Sequence, residues 1–170
     1  MKNWLNNGLD MNIKKLSHLN DNGDANMVNI SPKNITQRTA VAKGKIYLEK
    51  DTIDLIASNL IKKGDVISIA RIAGIMGAKN TSTIIPLCHQ VPLDSIEIDI
   101  KVMKNNKGIE VSSTCICNGK TGVEMEALVS VSISCLTIYD MVKSVDRSAI
   151  ISDIKLIEKS GGKSGHYKIK

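Results

Sequence analysis

Hydrophobic and polar residues alternate with two different periods along the chain, and the change of period marks the predicted elements. The segment SIEIDIKVMK, residues 95–104, places isoleucine and valine at every second position, which is typical of a strand with one buried face. Residues 105–108, Asn-Asn-Lys-Gly, predict a turn, and residues 109–117 predict the returning arm of a hairpin. Residues 39–48 and 152–159 predict two further strands.

Three other segments have apolar residues at helical spacing. The first covers residues 52–63 with Asp51 as the predicted N-cap, and the second covers residues 66–79 with Asp65 as its cap. The third and longest covers residues 123–145. The predicted order is therefore β-α-α-β-β-α-β, which indicates an α+β, ferredoxin-like fold with an antiparallel sheet and helices packed on one face.

Length and composition indicate one folded unit. The chain has 170 residues, of which 42% are hydrophobic, enough to bury a core. We interpret residues 1–15 as a loose N-terminal extension and residues 16–170 as a single α+β domain. No apolar run approaches the roughly 20 residues of a membrane span. The N-terminus lacks the apolar stretch of a secretory signal. We therefore expect a cytoplasmic protein with reduced cysteines.

The charge balance is basic, with a net charge of +6 and a pI near 9.1. A basic surface that serves only solubility explains this value as well as an anionic ligand does. The chain has one Trp, three Tyr and no Phe, so it lacks a stacking platform for single-stranded nucleic acid. If the charge serves binding, a small anionic ligand is favoured, and neither a nucleic acid nor a membrane is expected as a partner.

The sequence EKSGGKSG near the end of the chain contains the Gly-Lys-Ser core of a phosphate-binding loop. That motif requires a glycine five positions before Gly162, where this chain has Ile157. The loop must also open a helix, for which too few residues remain. A phosphate-binding loop of that class is therefore excluded, and the paired glycines between Lys159 and Lys163 need another explanation.

The sequence IIPLCHQVPL holds Cys88 and His89 between two prolines, which stiffen the backbone. A metal site usually needs C-x-x-C or spaced Cys and His pairs, which this sequence lacks, so we predict no metal ion. Cys88 is interpretable as a buried, inert thiol. His89 in a rigid loop is a candidate to bind a substrate or to move a proton.

The sequence GKTGVEMEAL places Glu124 and Glu126 where the longest helix begins. Acidic residues in a first turn offset the helix dipole, and this needs no ligand. The functional alternative is that one of these carboxylates holds the donor groups of a ligand.

Asp140 and Lys143 lie three residues apart on the same helix, so their Cβ atoms lie within about 6 Å. An exposed ion pair of this kind contributes little, whereas a pair in a cleft can donate and accept protons. On an unbroken helix, Glu126 and Asp140 are 14 residues apart, or about 21 Å. That distance is too great for both residues to touch the reacting centre of one small ligand. We therefore expect a site assembled from two chains rather than a broken helix.

Together, five motifs resemble the cyclic pyranopterin monophosphate synthase family, the accessory protein C of molybdenum cofactor biosynthesis: KGDVISIARIAGIMGAK, IPLCHQVPL, GKTGVEMEAL, LTIYDMVKSV and EKSGGKSGHYK. The opening LSHLNDNGDANMVNIS, residues 16–31, also resembles the start of that family. The resemblance therefore extends from Leu16 to Lys168 and implies that residues 16–170 are one catalytic domain. It implies conversion of (8S)-3′,8-cyclo-7,8-dihydroguanosine 5′-triphosphate to cyclic pyranopterin monophosphate with release of pyrophosphate, and no cofactor. It also implies a homohexamer, a trimer of dimers, with active sites at the dimer interface.

The resemblance assigns roles residue by residue. Asp140 and Lys143 match the catalytic pair, and Lys143 can act as a base only if its pKa is lowered. The residues that match substrate-contacting positions are Arg38, Lys63, Leu87, Cys88, His89, Glu124, Met125, Glu126 and Lys159. Gln90 departs from the proline that commonly follows the histidine, which removes no functional side chain. The alternative function is a non-catalytic purine-nucleotide-binding regulatory domain. An RNA-binding domain is disfavoured because the predicted strands at residues 95–104 and 109–117 lack aromatic residues.

Overall fold

The computed structural model of the protein describes residues 22–163 and 165–169. The predicted extension at residues 1–15 lies outside the described residues. The strands are β1 (Thr36–Tyr47), β2 (Ser95–Val102), β3 (Gly108–Gly119), β4 (Ile150–Ser160) and β5 (Tyr167–Lys168). The helices are α1 (Lys50–Ala57), α2 (Val66–Lys79), α3 (Thr81–Ile84) and α4 (Glu124–Val142).

The strands of the described residues form one antiparallel sheet in the order β2-β3-β1-β4-β5. The central strand β1 pairs along its whole length with β3, from Thr36 opposite Gly119 to Tyr47 opposite Gly108. The two long helices, α2 and α4, pack against each other and on the sheet. This arrangement confirms the predicted α+β, ferredoxin-like class. The helix α3 and the short strand β5 are additions that the sequence patterns did not predict.

The core lies between the sheet and α4. Alternate residues of β1 and β3 are buried because successive side chains of a strand point to opposite faces, and they include Ala40, Ala42, Ile46, Ile109, Val111 and Cys115. The helix approaches β1 closely at Gly44, where an added Cβ would lie 2.7 Å from the Val131 side chain. On the opposite face the sheet is polar, as shown by the ion pair between Lys43 and Glu110 at 2.8 Å.

Helix α1 differs from the prediction at both ends. It begins at Lys50 with Glu49 as its N-cap, so the predicted cap Asp51 lies in the first turn. The backbone N–H of Glu49 donates to the Asp146 carboxylate at 2.9 Å, which fixes the helix start. The helix ends at Ala57 instead of residue 63, and Asn59 then adopts a left-handed φ of 54°.

Helix α2 begins as predicted, because the Asp65 carboxylate accepts the Ser68 N–H at 3.0 Å. Its Gly74 and Gly77 face α4, where an added Cβ would meet Ser134 and Ile133 respectively. Small residues at this contact allow the two helix backbones to approach closely.

Helix α4 is buried against both the sheet and α2. Among the described residues, it is the helix long and apolar enough to cross a membrane by length and composition alone. More than half of its apolar window (56%) is nevertheless buried inside the fold, as is typical of the central helix of a globular domain.

Candidate functional site

A cleft of about 570 Å³ lies where the N-terminus of α4 meets the ends of β1, β3 and β4. Its volume is within the range of about 300–1,000 Å³ that is usual for small-molecule sites. Five of its described lining residues are cationic, whereas one is a carboxylate, Glu124. Such an excess of positive charge in a concave surface attracts polyanions. The cations are Lys33, Arg38, Lys120, Lys159 and Lys163.

The paired glycines after β4 make room for the Arg38 side chain. Arg38 is only 8% exposed, and its Nε donates to the Gly119 carbonyl at 3.4 Å. Gly161 and Gly162 have left-handed φ values of 96° and 72°. A Cβ added at Gly162 would overlap the Arg38 guanidinium. The glycines therefore let the chain fold around a guanidinium, which explains the sequence EKSGGKSG without phosphate-loop geometry.

Glu124 pairs with Lys159 in the wall of this cleft, at a distance of 2.8 Å between Oε1 and Nζ. Both side chains are about three-quarters buried, with exposed fractions of 28% and 26%. Glu124 is the first residue of α4, where the free N–H groups of the helix favour negative charge. The Gly122 backbone lies directly against this carboxylate.

A smaller cavity of about 160 Å³ adjoins the cleft and shares Thr121, Gly122 and Glu124 with it. The structure therefore places the predicted Leu-Cys-His and Met-Glu motifs around one space. The predicted residues that line this cavity are Leu87, Cys88, His89, Glu124, Met125 and Glu126.

Glu126 is a buried carboxyl group, only 4% exposed, beside this cavity. Burial raises its pKa, its own backbone N–H partly offsets this, and the nearby charge of Glu124 raises the pKa further. Carboxyl groups with a pKa shifted by burial are frequent in functional sites. A buried carboxylate is costly unless it accepts hydrogen bonds, so Glu126 is suited to bind the N–H donors of a ligand.

The cysteines of the domain are thiols rather than thiolates. Burial raises the pKa of Cys88, and the neighbouring Glu126 raises it further. Burial likewise raises the pKa values of Cys115 and Cys135 to about 11. Since the thiolate is the reactive form, Cys88 lines the smaller cavity as a thiol that is poorly suited to act as a nucleophile. Within residues 22–163 and 165–169, no group of three or more His, Cys, Asp or Glu side chains is arranged to hold a metal ion.

The predicted residues Lys63, Asp140 and Lys143 lie together at the opposite end of α4. The Asp140 carboxylate lies 2.8 Å from Lys143 Nζ and 2.9 Å from Lys63 Nζ. Lys63 also donates to the Asp140 carbonyl at 2.6 Å. A cation is favourable here because the last carbonyl groups of a helix lack intrahelical partners. All three side chains are exposed to solvent in the single chain, by 41–57%.

The charges of this cluster reinforce one another. Hydrogen bonds from Lys143 and then Lys63 lower the pKa of Asp140 to about 2. The hydrogen bond to Asp140 raises the pKa of Lys143. In the single chain the pair is therefore a carboxylate and an ammonium. The lowered pKa that Lys143 would need to act as a base is therefore not found in the single chain.

Asp146 fixes the turn that follows Lys143. Burial alone would raise its pKa, but hydrogen bonds from the Glu49 N–H and from Ser148 outweigh burial and lower it. The carboxylate is 3% exposed and accepts the Ser148 N–H at 3.0 Å. Asp146 thus ties the start of α1 to the end of α4, beside the cluster of Lys63, Asp140 and Lys143.

The predicted site residues therefore form two groups at opposite ends of one helix. Helix α4 is continuous from Glu124 to Val142, so Glu126 and Asp140 are separated by about 21 Å. The group at the N-terminal end consists of Arg38, Leu87, Cys88, His89, Glu124, Met125, Glu126 and Lys159. The group at the C-terminal end consists of Lys63, Asp140 and Lys143.

Sequence reasoning missed Lys33, which lines the cleft from the loop before β1. No pattern marks it, because the loop is polar throughout and its position depends on long-range contacts. Lys120 and Thr121 belong to the sequence GKTGVEMEAL, in which Glu124, Met125 and Glu126 are the predicted site residues, and both also line the cleft.

A basic cleft that adjoins a buried carboxyl on a ferredoxin-like domain defines a protein that can bind an anionic ligand rich in N–H donors. The chain belongs to the MoaC family, whose model matches residues 27–162. It is 50% identical to a cyclic pyranopterin monophosphate synthase of Parvibaculum lavamentivorans over 160 residues, which are 94% of this chain and 100% of the relative. The corresponding protein of Clostridium acetobutylicum is 50% identical over 152 residues, 89% of this chain and 94% of the relative. That of Heliobacterium modesticaldum is 47% identical, over 89% of this chain and 96% of the relative.

Proposed function

We propose that this protein is a cyclic pyranopterin monophosphate synthase that acts in the cytoplasm in molybdenum cofactor biosynthesis. It converts (8S)-3′,8-cyclo-7,8-dihydroguanosine 5′-triphosphate to cyclic pyranopterin monophosphate and releases pyrophosphate. The observation that carries the proposal is the identity of 50% to a synthase of that name over 94% of the chain. The cationic cleft beside the buried Glu126 supplies the chemistry that such a substrate needs.

The two adjoining cavities match the two ends of the substrate. The triphosphate binds in the larger cleft, where Arg38 and Lys159 neutralise its charge together with the other lysines that line it. The guanine-derived ring binds in the smaller cavity, where the buried carboxyl of Glu126 accepts its N–H groups. Glu124 lines both spaces and connects recognition of the ring with recognition of the phosphates.

The reaction needs protons to move in both directions. Asp140 is the proposed proton acceptor and Lys143 the proposed donor. Their ion pair lowers the pKa of Asp140 and raises that of Lys143, so it has to open in the assembled site before either group exchanges a proton. In the phosphate step a sugar hydroxyl oxygen attacks the α-phosphorus and loses its proton. The new P–O bond replaces the bond to the β-phosphate, and pyrophosphate leaves. Cations of the larger cleft stabilise the charge on the departing group.

The complete site is assembled from two chains, within a homohexamer that is a trimer of dimers. Support comes from the separation of the two residue groups along the unbroken α4. Support also comes from the surface beside Lys63, where Leu60 and Val145 are 66% and 56% exposed. Large apolar side chains exposed beside charged ones are typical of a contact surface. In this arrangement Asp140 of one chain completes the cavity that holds Glu126 of its neighbour.

The direct test incubates the full chain with the cyclised triphosphate and measures pyrophosphate and the pterin product. We expect both products in equal amounts, and none from unmodified GTP, which lacks the carbon–carbon bond that the rearrangement uses. Binding of the cyclised triphosphate without release of pyrophosphate would instead identify a non-catalytic nucleotide-binding domain.

A further inference from the structure

A short segment before β1 is fastened to both cavities by its backbone. We call residues 28–33 the strap. The Val28 carbonyl lies 2.8 Å from His89 Nε2, and the Ser31 carbonyl accepts a hydrogen bond from Lys120 Nζ at 2.8 Å. His89 lines the smaller cavity and Lys120 the larger one. The strap therefore contacts one side chain of each cavity.

The strap is also ordered by hydrogen bonds of its own. The Asn29 Oδ1 atom accepts the Ser31 N–H at 2.9 Å. The Lys33 N–H donates to the Ile30 carbonyl at 3.0 Å and closes a turn that includes Pro32. These bonds give the strap a defined shape, so its carbonyl groups present fixed acceptors to His89 and Lys120.

We infer that the strap is a positioning element of the site. It fixes the orientation and tautomer of His89, and through its hydrogen bond with Lys120 it holds Lys33 at the larger cleft. This inference rests on the proposed function and goes beyond it by assigning a role to backbone groups. The residues of the strap position other groups and do not themselves take part in proton transfer.

The tautomer follows from the chemistry of the contact. A carbonyl oxygen can only accept a hydrogen bond, so the His89 Nε2 atom at 2.8 Å from it must carry a proton. In the neutral imidazole the other nitrogen, Nδ1, is then unprotonated and is the acceptor. A histidine held in this tautomer offers the substrate a hydrogen-bond acceptor, which becomes a donor when the ring is protonated.

The hydrogen bond between Lys120 and the strap determines where positive charge lies in the larger cleft. Lys33 lines the cleft from an exposed loop, where a long side chain would otherwise sample many positions. The hydrogen bond from Lys120 to Ser31, two residues before Lys33, holds the loop against the cleft. Lys120 thereby supplies its own charge and keeps the charge of Lys33 at the same place.

The first test reads the tautomer in the ligand-free protein by nitrogen-15 NMR of the histidine rings at a pH where they are neutral. The chain has three histidines, and a His89→Gln variant assigns the signal. We expect a protonated Nε2 whose proton is protected from exchange with solvent and therefore visible. An Asn29→Ala/Pro32→Gly variant, which loosens the strap, should lose that signal. A protonated Nδ1, or an Nε2–H signal that survives loosening, would overturn the inference.

The second test is kinetic. We expect the Asn29→Ala/Pro32→Gly variant to lower kcat/KM about tenfold, the effect of losing one hydrogen bond to a charged group. Asn26→Ala, an exposed substitution just before the strap, is the matched control and should leave kcat/KM unchanged. Lys120→Met removes both the charge of Lys120 and its hold on the strap. In the loosened strap the hold is already lost, so the substitution should reduce kcat/KM by a smaller factor there than in the wild type. Equal factors in the two backgrounds would show that Lys120 acts independently of the strap, against the inference.

The two proposals fail in different ways. A chain that turns over the cyclised triphosphate but lacks the protected Nε2–H signal would refute only the strap. A chain that shows this signal without turnover would refute only the proposed function.

Discussion

Glu124 and Lys159 form an ion pair, 2.8 Å from Oε1 to Nζ, in the wall of the larger cleft, and Glu124 also lines the smaller cavity. The carboxylate therefore holds a cation of the phosphate cleft in place when no phosphate is bound. A triphosphate that binds Lys159 competes with Glu124 for it. In the proposed binding mode, the position of this one carboxylate therefore affects both ends of the substrate.

Gly122→Ala should damage the site without damaging the fold. Gly122 is not in the left-handed region, so alanine fits the backbone, but its Cβ would overlap the Glu124 carboxylate. The flexible end of Glu124 must turn away and release Lys159. We expect kcat/KM to fall about tenfold and Tm to change little. Glu124→Gln breaks the same ion pair without the overlap and should cause a similar loss. Full activity of the Gly122→Ala enzyme would contradict this role of Glu124.

Gly162→Ala should weaken binding of the triphosphate by displacing Arg38. Its Cβ would overlap the guanidinium, and its φ of 72° disfavours alanine by about 1–2 kcal/mol. Gly165→Ala is the matched control, because it has a φ of 67° but nothing within 4 Å of the added Cβ. Both variants should lose the stability that the left-handed backbone costs alanine, and Gly162→Ala should lose more because it also displaces Arg38. Only Gly162→Ala should bind substrate more weakly. Equal affinities for the substrate in the two variants would show that Arg38 does not contribute to phosphate binding.

Glu126→Gln should stabilise the protein while reducing its activity. Burial raises the pKa of Glu126 in the folded chain above its unfolded value. The stability linked to its proton is thus fully present below the unfolded pKa and is lost as pH rises through the folded pKa. Glutamine removes this loss, so the Tm of the variant should exceed that of the wild type at pH 7–8 and approach it towards pH 4. Each 1 kcal/mol corresponds to about 2–4 °C in a chain of this size.

The control for this pH dependence is Glu158→Gln. Hydrogen bonds from His166 and Lys168 lower the pKa of Glu158, so its charged form is favoured in the folded chain. The substitution should therefore leave Tm unchanged or lower it at neutral pH. A Glu126→Gln protein that is less stable than the wild type at pH 7–8 would show that the carboxylate has a compensating partner in the assembled protein.

Lys143→Ala and Lys159→Ala should separate chemistry from binding. Lys143 belongs to the proposed proton-transfer pair, so its loss should abolish turnover, by at least about 100-fold, and retain much of the substrate affinity. Lys159 lines the phosphate cleft, so its loss should chiefly raise KM and reduce kcat less than Lys143→Ala does. Steady-state kinetics combined with direct binding by calorimetry distinguishes the two. An active Lys143→Ala enzyme would refute its assignment.

The sheet and the helices that cover it were predictable because their burial has a simple period. β1 and β3 alternate buried and half-buried residues, and their buried face lies under α4, whereas β2 packs against α2. The ends of α1 were not predictable in the same way. Its start depends on Asp146, nearly 100 residues further along the chain, which no local pattern can reveal.

The candidate site was likewise predictable where residues stand in a local motif and unpredictable where long-range contacts position them. Glu124, Glu126 and His89 could be named from the sequence because they stand within the family-like motifs, and all three line the smaller cavity. Lys33 and the strap were not predicted, since their position depends on hydrogen bonds of backbone carbonyls with side chains 61 and 89 residues away. Backbone acceptors carry no sequence signature, so only the folded chain reveals them.

The central claim is that one active site uses Glu126 of one chain and Asp140 of another, and subunit mixing tests it most directly. Glu126→Gln and Asp140→Asn proteins, each inactive alone, are mixed in equal amounts under conditions where exchange of subunits is confirmed by mass spectrometry. In a hybrid dimer one site carries both substitutions and the other carries neither. Random pairing should therefore restore about a quarter of the wild-type activity per chain. No recovery despite complete exchange would place both residues in the same chain's site and contradict the account.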